Sequence, residues 1–311
     1  MVIINYFIMC LIFGTTFLAI KVGVDAASPP FFSAGVRFLT AGLIMFLWMV
    51  WRKKASFAIL LRKEMLLTGI GLTFGTFSTL YWAEQHVSSG IAAVLSATGP
   101  LMILILQMLI FHQKASGASL LGILLGFTGV VLLVLPSLTV SVSLWWGIGC
   151  VAILIGEIFY SSGALYSKKV IQSFPKESPI ALNAAQMIYG GLLLLLLSCF
   201  TEQVHSEVLV SPAAIGSLLY LIVVGSMVGH SLFYWLIAKT NPIFPATWLY
   251  VSPLIALTIG VLLYGETING ITVLGGITII AGTIVSNFTN LKRLLRKPGA
   301  ASSSSTLQNE A

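Results

Sequence analysis

The sequence predicts an all-α membrane protein whose ten transmembrane helices form two inverted five-helix repeats. Three observations predict this fold: a very apolar composition, ten apolar segments of membrane-spanning length, and an internal repeat that contains an odd number of those segments. The 311 residues are 58% hydrophobic and 8% charged, with a mean hydropathy of +1.01, whereas soluble domains have about 45–50% apolar and about 25% charged residues. Such a chain cannot bury its apolar surface in water, which excludes soluble enzymes.

The charges and cysteines give no sign of a nucleic-acid or metal site. The net charge is +7, but the basic residues lie in short clusters between apolar runs instead of on one face. Cys10, Cys150 and Cys199 lie within apolar stretches and lack the spacing of metal ligands. We therefore predict no metal, no cofactor and no nucleic-acid partner, and we expect the lipid bilayer to surround most of the chain.

Ten segments each contain about 20 mainly apolar residues, the length that a helix needs to cross the hydrocarbon core. We number them 1 to 10 in chain order, and they cover residues 3–20, 31–51, 65–83, 90–111, 117–135, 144–166, 181–200, 213–238, 243–264 and 268–288. Segment 1 is not expected to be a cleaved signal peptide, because nothing basic precedes it and its apolar stretch is too long.

The basic residues are distributed unevenly over the loops between the segments. Fourteen of the 16 Lys and Arg residues follow segments 2, 4, 6, 8 and 10, whereas the opposite loops hold only Lys21 and segment 2 contains Arg37. Lys and Arg in short loops are retained in the cytoplasm. Both termini are therefore predicted to be cytoplasmic, in a multi-pass protein of the cell (plasma) membrane, with a Ser-rich, disordered cytoplasmic tail over residues 290–311.

The sequence repeats itself along most of its length. A shift of 153 residues pairs Pro100 with Pro253 and makes 11 of the 50 positions from 81 to 130 identical, where about four are expected by chance. A shift of 149 pairs Arg37 with Gln186. The repeats are predicted to cover residues 3–138 and 143–289, and because each holds five segments, the second must cross the bilayer in the opposite direction, as in secondary transporters. An old duplication without mechanical consequence is the alternative.

Several residues in the two repeats resemble those of one known family. They are Gly14 and Lys21 around segment 1, Arg37-Phe38-Leu39 in segment 2, Pro100, Pro253, Gly265-Glu266, Gly275 and Gly282. Together they resemble the EamA family of the drug/metabolite transporter (DMT) superfamily over residues 5–288. The resemblance implies a ten-span bundle that carries small organic metabolites, often outward, without ATP. The family's Gly-Glu pair reads His112-Gln113 in the first repeat, so we interpret Glu266 as a helix-start or interface residue.

Two charged residues are predicted to lie inside the membrane. Glu157 is about 13 residues into segment 6, near the bilayer midplane, and Arg37 is about six residues into segment 2. A carboxylate at such depth costs about 2.5–3.5 kcal/mol unless it is paired, hydrated or protonated. Our hypothesis is that both residues face a central cavity and bind a zwitterionic substrate, with Gln186 as the counterpart of Arg37. The alternatives are a structural ion pair and an Arg37 side chain that extends to the lipid headgroups.

The remaining candidates are polar, aromatic and proline residues in segments 3, 4, 8 and 9. His230 is expected either to relay a proton or to make one helix-to-helix hydrogen bond, and Trp248 and Tyr250 are expected to line an apolar part of the substrate-binding site. Pro100 and Pro253 lack the N–H of a helical residue, so they are predicted to disturb segments 4 and 9 and to line the pathway, unless the kinks are purely structural. Four aromatic residues are interpreted as an interfacial belt, or alternatively as gates: Tyr81, Trp82, Tyr234 and Trp235.

These features together predict a secondary transporter. It is expected to carry small amphipathic organic metabolites, such as amino acids or drug-like compounds, by alternating access at a midplane site, and export is preferred because of the family resemblance. No Walker A pattern occurs, so ATP is not expected to drive transport. Proton coupling through Glu157 and a homodimer are left open. A membrane-embedded enzyme would need a catalytic motif that we do not find, so no catalytic residue is predicted, and a receptor or scaffold would need larger loops.

Overall fold

The computed structural model describes residues 1–112, 116–135, 143–204, 211–255 and 270–288. Within these ranges every regular element is a helix and there is no strand. The predicted tail at 290–311, Gln113 and the Gly265-Glu266 pair lie outside the described residues. The same is true of segment 9 beyond Ile255 and of the first two residues of segment 10.

Six of the ten segments are continuous helices over their described residues. They are Val2–Asp25, Pro30–Trp51, Gly117–Val134, Leu144–Ser173, Pro179–Thr201 and Gly270–Ser286. Serine side chains cap the starts of four helices, in segments 4 to 7, by accepting a hydrogen bond from a backbone N–H of the first turn. These serines are Ser88, Ser116, Ser143 and Ser178.

The other four segments are interrupted helices. Segment 3 consists of Lys63–Gly69, a π-helix at Ile70–Gly75 and Thr76–Ala83, and a short 3₁₀ helix at Phe57–Leu61 precedes it. Segment 8 has the same order: Pro212–Tyr220, a π-helix at Leu221–His230 and Ser231–Lys239. Segment 4 is divided into Ser89–Ser96 and Gly99–Phe111, and segment 9 into Ile243–Ala246 and a helix over 248–255.

The interruptions of segments 4 and 9 lie at different distances from their prolines. Pro100 is in the first turn of the second helix of segment 4, where its missing N–H costs no helical hydrogen bond. Segment 9 is interrupted at Thr247, six residues before Pro253, and the helix continues through that proline. Interrupted helices in a membrane protein are tolerated where other helices or a cavity satisfy the freed backbone groups.

The length and composition of the helices confirm a helical protein suited to a membrane. Six helical stretches within the described residues, in segments 1, 2, 4, 6, 7 and 8, are long and apolar enough to cross a bilayer when the parts of segments 4 and 8 are taken together, and segments 5, 9 and 10 contain shorter apolar helices. Large apolar side chains also cover the outer surface: Phe7, Leu11 and Leu18 of segment 1 are all more than half exposed. A soluble protein avoids such a continuous apolar surface, whereas lipid covers it. The count of ten spans and the inversion stay predictions.

Glycines let two pairs of helices approach closely, segment 2 with segment 7 and segment 5 with segment 10. A Cβ atom on Gly191 would lie 2.5 Å from the backbone nitrogen of Leu39, and one on Gly282 would lie 2.3 Å from that of Gly126. Real Cβ atoms do not approach backbone atoms so closely, so these positions require glycine. Close backbone contact through small residues is the usual way in which helices associate in lipid.

Two further helix pairs matter for the centre of the bundle, segment 3 with segment 6 and segment 1 with segment 8. A Cβ atom on Gly71 would lie 2.8 Å from the Cα atom of Gly163, and one on Gly229 would lie 2.6 Å from the ring of Phe13. We call these the 3–6 pair and the 1–8 pair. A cavity lies between the two pairs.

Candidate functional site

A central cavity encloses about 600 Å³ of space that atoms do not fill, part of it open to solvent. Segments 1, 2, 3, 4, 6, 8 and 9 all contribute to its wall. Six aromatic residues form much of this wall: Phe13, Phe17, Phe77, Tyr160, Phe233 and Trp248. Its polar wall residues are Thr16, Arg37, Thr76, Ser96, Glu157 and His230. A concave, mainly apolar site with a few polar groups is typical of a small-molecule site.

Arg37 is buried in the wall of this cavity, with only 1% of its surface exposed. Its Nε donates a hydrogen bond to Ser226 Oγ at 2.8 Å, and its Nη1 donates one to the Tyr81 hydroxyl at 3.1 Å. The guanidinium also lies 4.6 Å from the ring centre of Phe38 and 5.1 Å from that of Phe77. The side chain therefore points into the bundle and does not extend to the headgroups, which was one of the alternatives.

Glu157 is 5% exposed and lies in segment 6, which belongs to the 3–6 pair. Its carboxyl group lies close to Ser96, and its Oε2 has no hydrogen-bond partner among the described residues. Gly99 lies directly against this oxygen, since a Cβ atom there would be 2.5 Å from Oε2. Gly99 begins the second helix of segment 4, so the carboxylate faces the positive end of a helix dipole.

Arg37 and Glu157 line the same cavity but do not form an ion pair. Within the described ranges, Lys21 and Asp25 are the only residues joined by a salt bridge. The structural ion pair that was the other alternative is therefore not what the structure contains. A buried charge without a counter-ion is costly in a membrane, so each of these groups is available for an oppositely charged group on a ligand.

Two more of the predicted binding residues, His230 and Trp248, also line the cavity. The imidazole of His230 is surrounded by rings, 5.2 Å from Phe13 and 5.4 Å from Phe38 between ring centres, both edge-to-face. The indole N–H of Trp248 donates a hydrogen bond to the Tyr160 hydroxyl at 3.3 Å. Together these residues make a largely aromatic wall with few free polar atoms.

Gln186 and Tyr250 do not line the cavity. Gln186 is fully buried between segments 3 and 7, where its Oε1 accepts a hydrogen bond from Thr73 at 2.8 Å and its Nε2 donates one to Asn183 at 3.1 Å. The ring of Tyr250 packs against segment 5, 2.7 Å from where a Cβ atom on Gly126 would lie. These two residues therefore have packing roles in this conformation.

The predicted gate or belt residues lie outside the cavity wall. Tyr81 reaches Arg37 and also lines a second, smaller cavity near the end of segment 1. Tyr234 is part of the core and is 1% exposed. Trp235 is partly buried and packs against that core. Trp82 is partly buried and contacts the rings of His86 and Trp145 at the periphery.

The sequence did not identify the aromatic wall residues Phe13, Phe17, Phe77, Tyr160 and Phe233. The chain contains 18 Phe and 9 Tyr residues, so composition alone cannot select these five. The internal repeat could have indicated some of them, because residues at equivalent positions of the two repeats both line the cavity. For example, Leu80 and Phe233 correspond at a shift of 153 residues.

The chain is similar to known membrane transporters over nearly its whole length. Residues 1–135 and 147–288 match the model of the EamA-like transporter family. The "Uncharacterized inner membrane transporter YedA" of Escherichia coli (strain K12) is 30% identical over 287 residues, which cover 90% of this chain and 89% of YedA. The "Probable amino-acid metabolite efflux pump" of Salmonella typhimurium (strain LT2) is 27% identical over 293 residues, covering 90% of this chain and 93% of that protein.

A solved crystal structure shares the fold. It aligns with 92% of this chain and 97% of its own chain, with a TM-score of 0.72 and 18% sequence identity. At this identity the likeness concerns the arrangement of the helices alone.

Proposed function

Since the chain belongs to the EamA-like transporter family of the DMT superfamily, we propose that it moves small zwitterionic metabolites across the cell membrane through the central cavity. Membership of this family makes the protein a membrane transporter. The finer statement, a secondary transporter that uses alternating access and carries amino-acid-like solutes outward, is our proposal. The name of the relative from Salmonella typhimurium, a probable amino-acid metabolite efflux pump, supports this substrate class and direction.

One observation carries the proposal: a guanidinium and a carboxyl group, those of Arg37 and Glu157, line one aromatic cavity without forming an ion pair. An α-amino acid presents a carboxylate and an ammonium group together with an apolar side chain. The guanidinium matches the carboxylate, the unpartnered Oε2 of Glu157 matches the ammonium, and the rings match the side chain. A bound zwitterion would neutralise both buried charges, which an uncharged solute cannot do.

Equivalent contacts in the two halves support the inverted repeats over residues 3–138 and 143–289. Arg37 of segment 2 donates to Ser226 of segment 8, and the corresponding Gln186 of segment 7 accepts from Thr73 of segment 3. Thr73 and Ser226 are themselves 153 positions apart, and each lies in a π-helix. Such duplication would provide two conformations of similar energy, open to opposite sides. We keep the prediction that both termini are cytoplasmic.

Transport into proteoliposomes tests the proposal. Counterflow of a panel of radiolabelled amino acids should be measured for the wild-type protein, Glu157→Gln and Arg37→Ala, with Glu177→Gln as a charge-matched control in the loop after segment 6. We expect at least a tenfold loss in the two cavity variants, because each removes a charged contact worth about 1.5–3 kcal/mol. Normal insertion with wild-type transport in both variants would refute the assignment.

Two additions to this experiment address coupling and chemistry. An imposed proton gradient should accelerate transport if Glu157 carries a coupling proton, and Glu157→Gln should then be insensitive to the gradient; insensitivity of the wild-type protein would exclude this version. Recovery of the solute chemically unchanged would exclude a membrane-embedded enzyme.

A further inference from the structure

A lysine near the end of segment 6 caps the end of segment 8. The ammonium group of Lys168 donates hydrogen bonds to three backbone carbonyl oxygens, those of Ile237 at 2.8 Å, Ala238 at 3.2 Å and Thr240 at 3.0 Å. These carbonyls belong to the last turn of the helix Ser231–Lys239 and the residue that follows it. Carbonyl groups at the end of a helix generally lack an intrahelical N–H partner, and they form the negative end of the helix dipole.

Segments 1 and 3 repeat this arrangement at the opposite end of the bundle. The ammonium group of Lys21 donates to the carbonyl oxygen of Glu84 at 3.2 Å, directly after the helix Thr76–Ala83. It also forms an ion pair with Asp25 at 2.9 Å. Lys21 and Lys168 are 147 positions apart, and Glu84 and Ile237 are 153 positions apart. The same cap is therefore built once at each end, which we call the Lys21 end and the Lys168 end.

The two caps connect the helix pairs that enclose the cavity. Segment 8 packs closely on segment 1 through Gly229, and segment 3 packs closely on segment 6 through Gly71. Each lysine instead reaches across to the other pair: Lys21 from segment 1 to segment 3, and Lys168 from segment 6 to segment 8. Separation of the 1–8 pair from the 3–6 pair at either end must therefore break the cap at that end.

We propose that Lys21 and Lys168 are the two latches of the transport cycle, each closing its own end of the cavity by joining the 1–8 pair to the 3–6 pair. This inference rests on the proposed function, because a latch has a role only in a protein that opens alternately at its two ends. In this structure Lys168 has three carbonyl acceptors and Lys21 has one. The Lys168 end is therefore the more firmly closed, and rupture of that latch opens the end that we predict to be cytoplasmic.

Cysteine accessibility measures the two ends separately. Leu80→Cys and Phe233→Cys place probes at equivalent cavity positions of segments 3 and 8, in protein whose Cys150 and Cys199 are replaced by Ser. Cys10 is retained because it is fully buried. A membrane-impermeant maleimide is added to one side of proteoliposomes at a time, and the labelling rate of each probe is recorded.

Loss of the capping charge in Lys168→Gln should favour the conformation that is open at the Lys168 end. The labelling rate should therefore fall from the Lys21 side and rise from the Lys168 side, each by about three- to tenfold. Lys21→Gln should shift the rates in the opposite direction. Lys168→Arg should restore wild-type rates, since a guanidinium also donates to the carbonyls.

Lys169→Gln is the matched control, because Lys169 is exposed and its loss changes the loop charge equally. An effect on membrane orientation would appear in both variants, whereas the latch predicts an effect of Lys168→Gln alone. Equal labelling in Lys168→Gln and Lys169→Gln would overturn the latches and leave the proposed transport function intact. Absence of labelling at both probes in every background would instead contradict the cavity as a transport pathway.

Discussion

At each end of the bundle a lysine caps the end of a helix, but the side chain at the capped position differs between the two ends. At the Lys21 end the capped position is Glu84, whose carboxyl group is fully buried and has no hydrogen-bond partner on either oxygen among the described residues. At the Lys168 end the equivalent position is Ile237, which is apolar and equally buried. The two ends thus share a lysine cap, and only the Lys21 end has a titratable group at the capped position.

A second pair of equivalent positions shows the same divergence in the middle of the bundle. Arg37 and Gln186 are counterparts, and each is hydrogen-bonded to a hydroxyl group of a π-helix. The charged member lines the cavity and the neutral member does not. The two repeats therefore share this hydrogen-bond contact and differ in which copy carries a charge.

The largest expected effect concerns positions at which the two repeats agree. Gly129 and Gly282 correspond to each other, and a Cβ atom on either would lie within 2.6 Å of a backbone nitrogen of the partner helix. Gly129→Leu and Gly282→Leu should each abolish folded protein, measured as monodisperse protein after detergent extraction, because overpacking there displaces a helix backbone.

The control for these variants is the equivalent pair Gly117 and Gly270. No atom lies within 4 Å of a Cβ placed on either residue. Gly117→Leu and Gly270→Leu should therefore yield wild-type amounts of folded protein. A loss as severe as at the tight positions would mean that leucine itself, and not helix contact, is the cause.

The next largest effect should follow from removing the difference between Arg37 and Gln186. Arg37→Gln makes the two repeats identical at this position, and amino-acid transport in proteoliposomes should fall by about tenfold to a hundredfold, because a charged contact with the carboxylate is lost. Gln186→Leu should instead reduce thermal stability by about 1 kcal/mol, since Thr73 loses its acceptor. An equal loss of transport in both variants would contradict the difference in role.

A third expected effect is a pH dependence that originates at the Lys21 end. Burial raises the pKa of Glu84 from 4.5 to about 8, although the nearby Lys21 partly opposes this rise. The folded protein therefore holds one proton more than the unfolded chain between pH 4.5 and 8, so Glu84 makes stability fall as pH rises through that window. Glu84→Gln should remove this contribution, and thermal unfolding in detergent from pH 5 to 9 measures it.

The matched control for the pH series is Ile237→Ala, which perturbs the equivalent position without altering a titratable group. This variant should lower the melting temperature by a similar amount at every pH, because it removes buried apolar atoms. If Glu84→Gln kept the full wild-type slope, the pH dependence would have to arise elsewhere in the chain.

Sequence reasoning selected some of the residues that line the cavity and missed others, for identifiable reasons. It identified Arg37 and Glu157 because a charge within an apolar segment is rare and costly, whatever surrounds it. It did not foresee that Gln186 and Tyr250 lie away from the cavity wall, because a helix position gives depth along a segment but not the direction in which the side chain points in the bundle. It interpreted the basic residues by their loop alone, so the capping roles of Lys168 and Lys21 were not foreseen.

The sequence by itself determined the membrane environment, the helical class and the family, because composition, segment length and the repeat are properties of the chain read in order. Only the tertiary structure decided which helices meet, where segments 3 and 8 form π-helices, and which side chains share the cavity. The physical reason is that lipid-facing and cavity-facing positions use the same apolar residues in this chain. The hydrophobic pattern therefore predicts where a helix lies in the chain. Glycine contacts and hydrogen bonds across the bundle determine which helices pack against it.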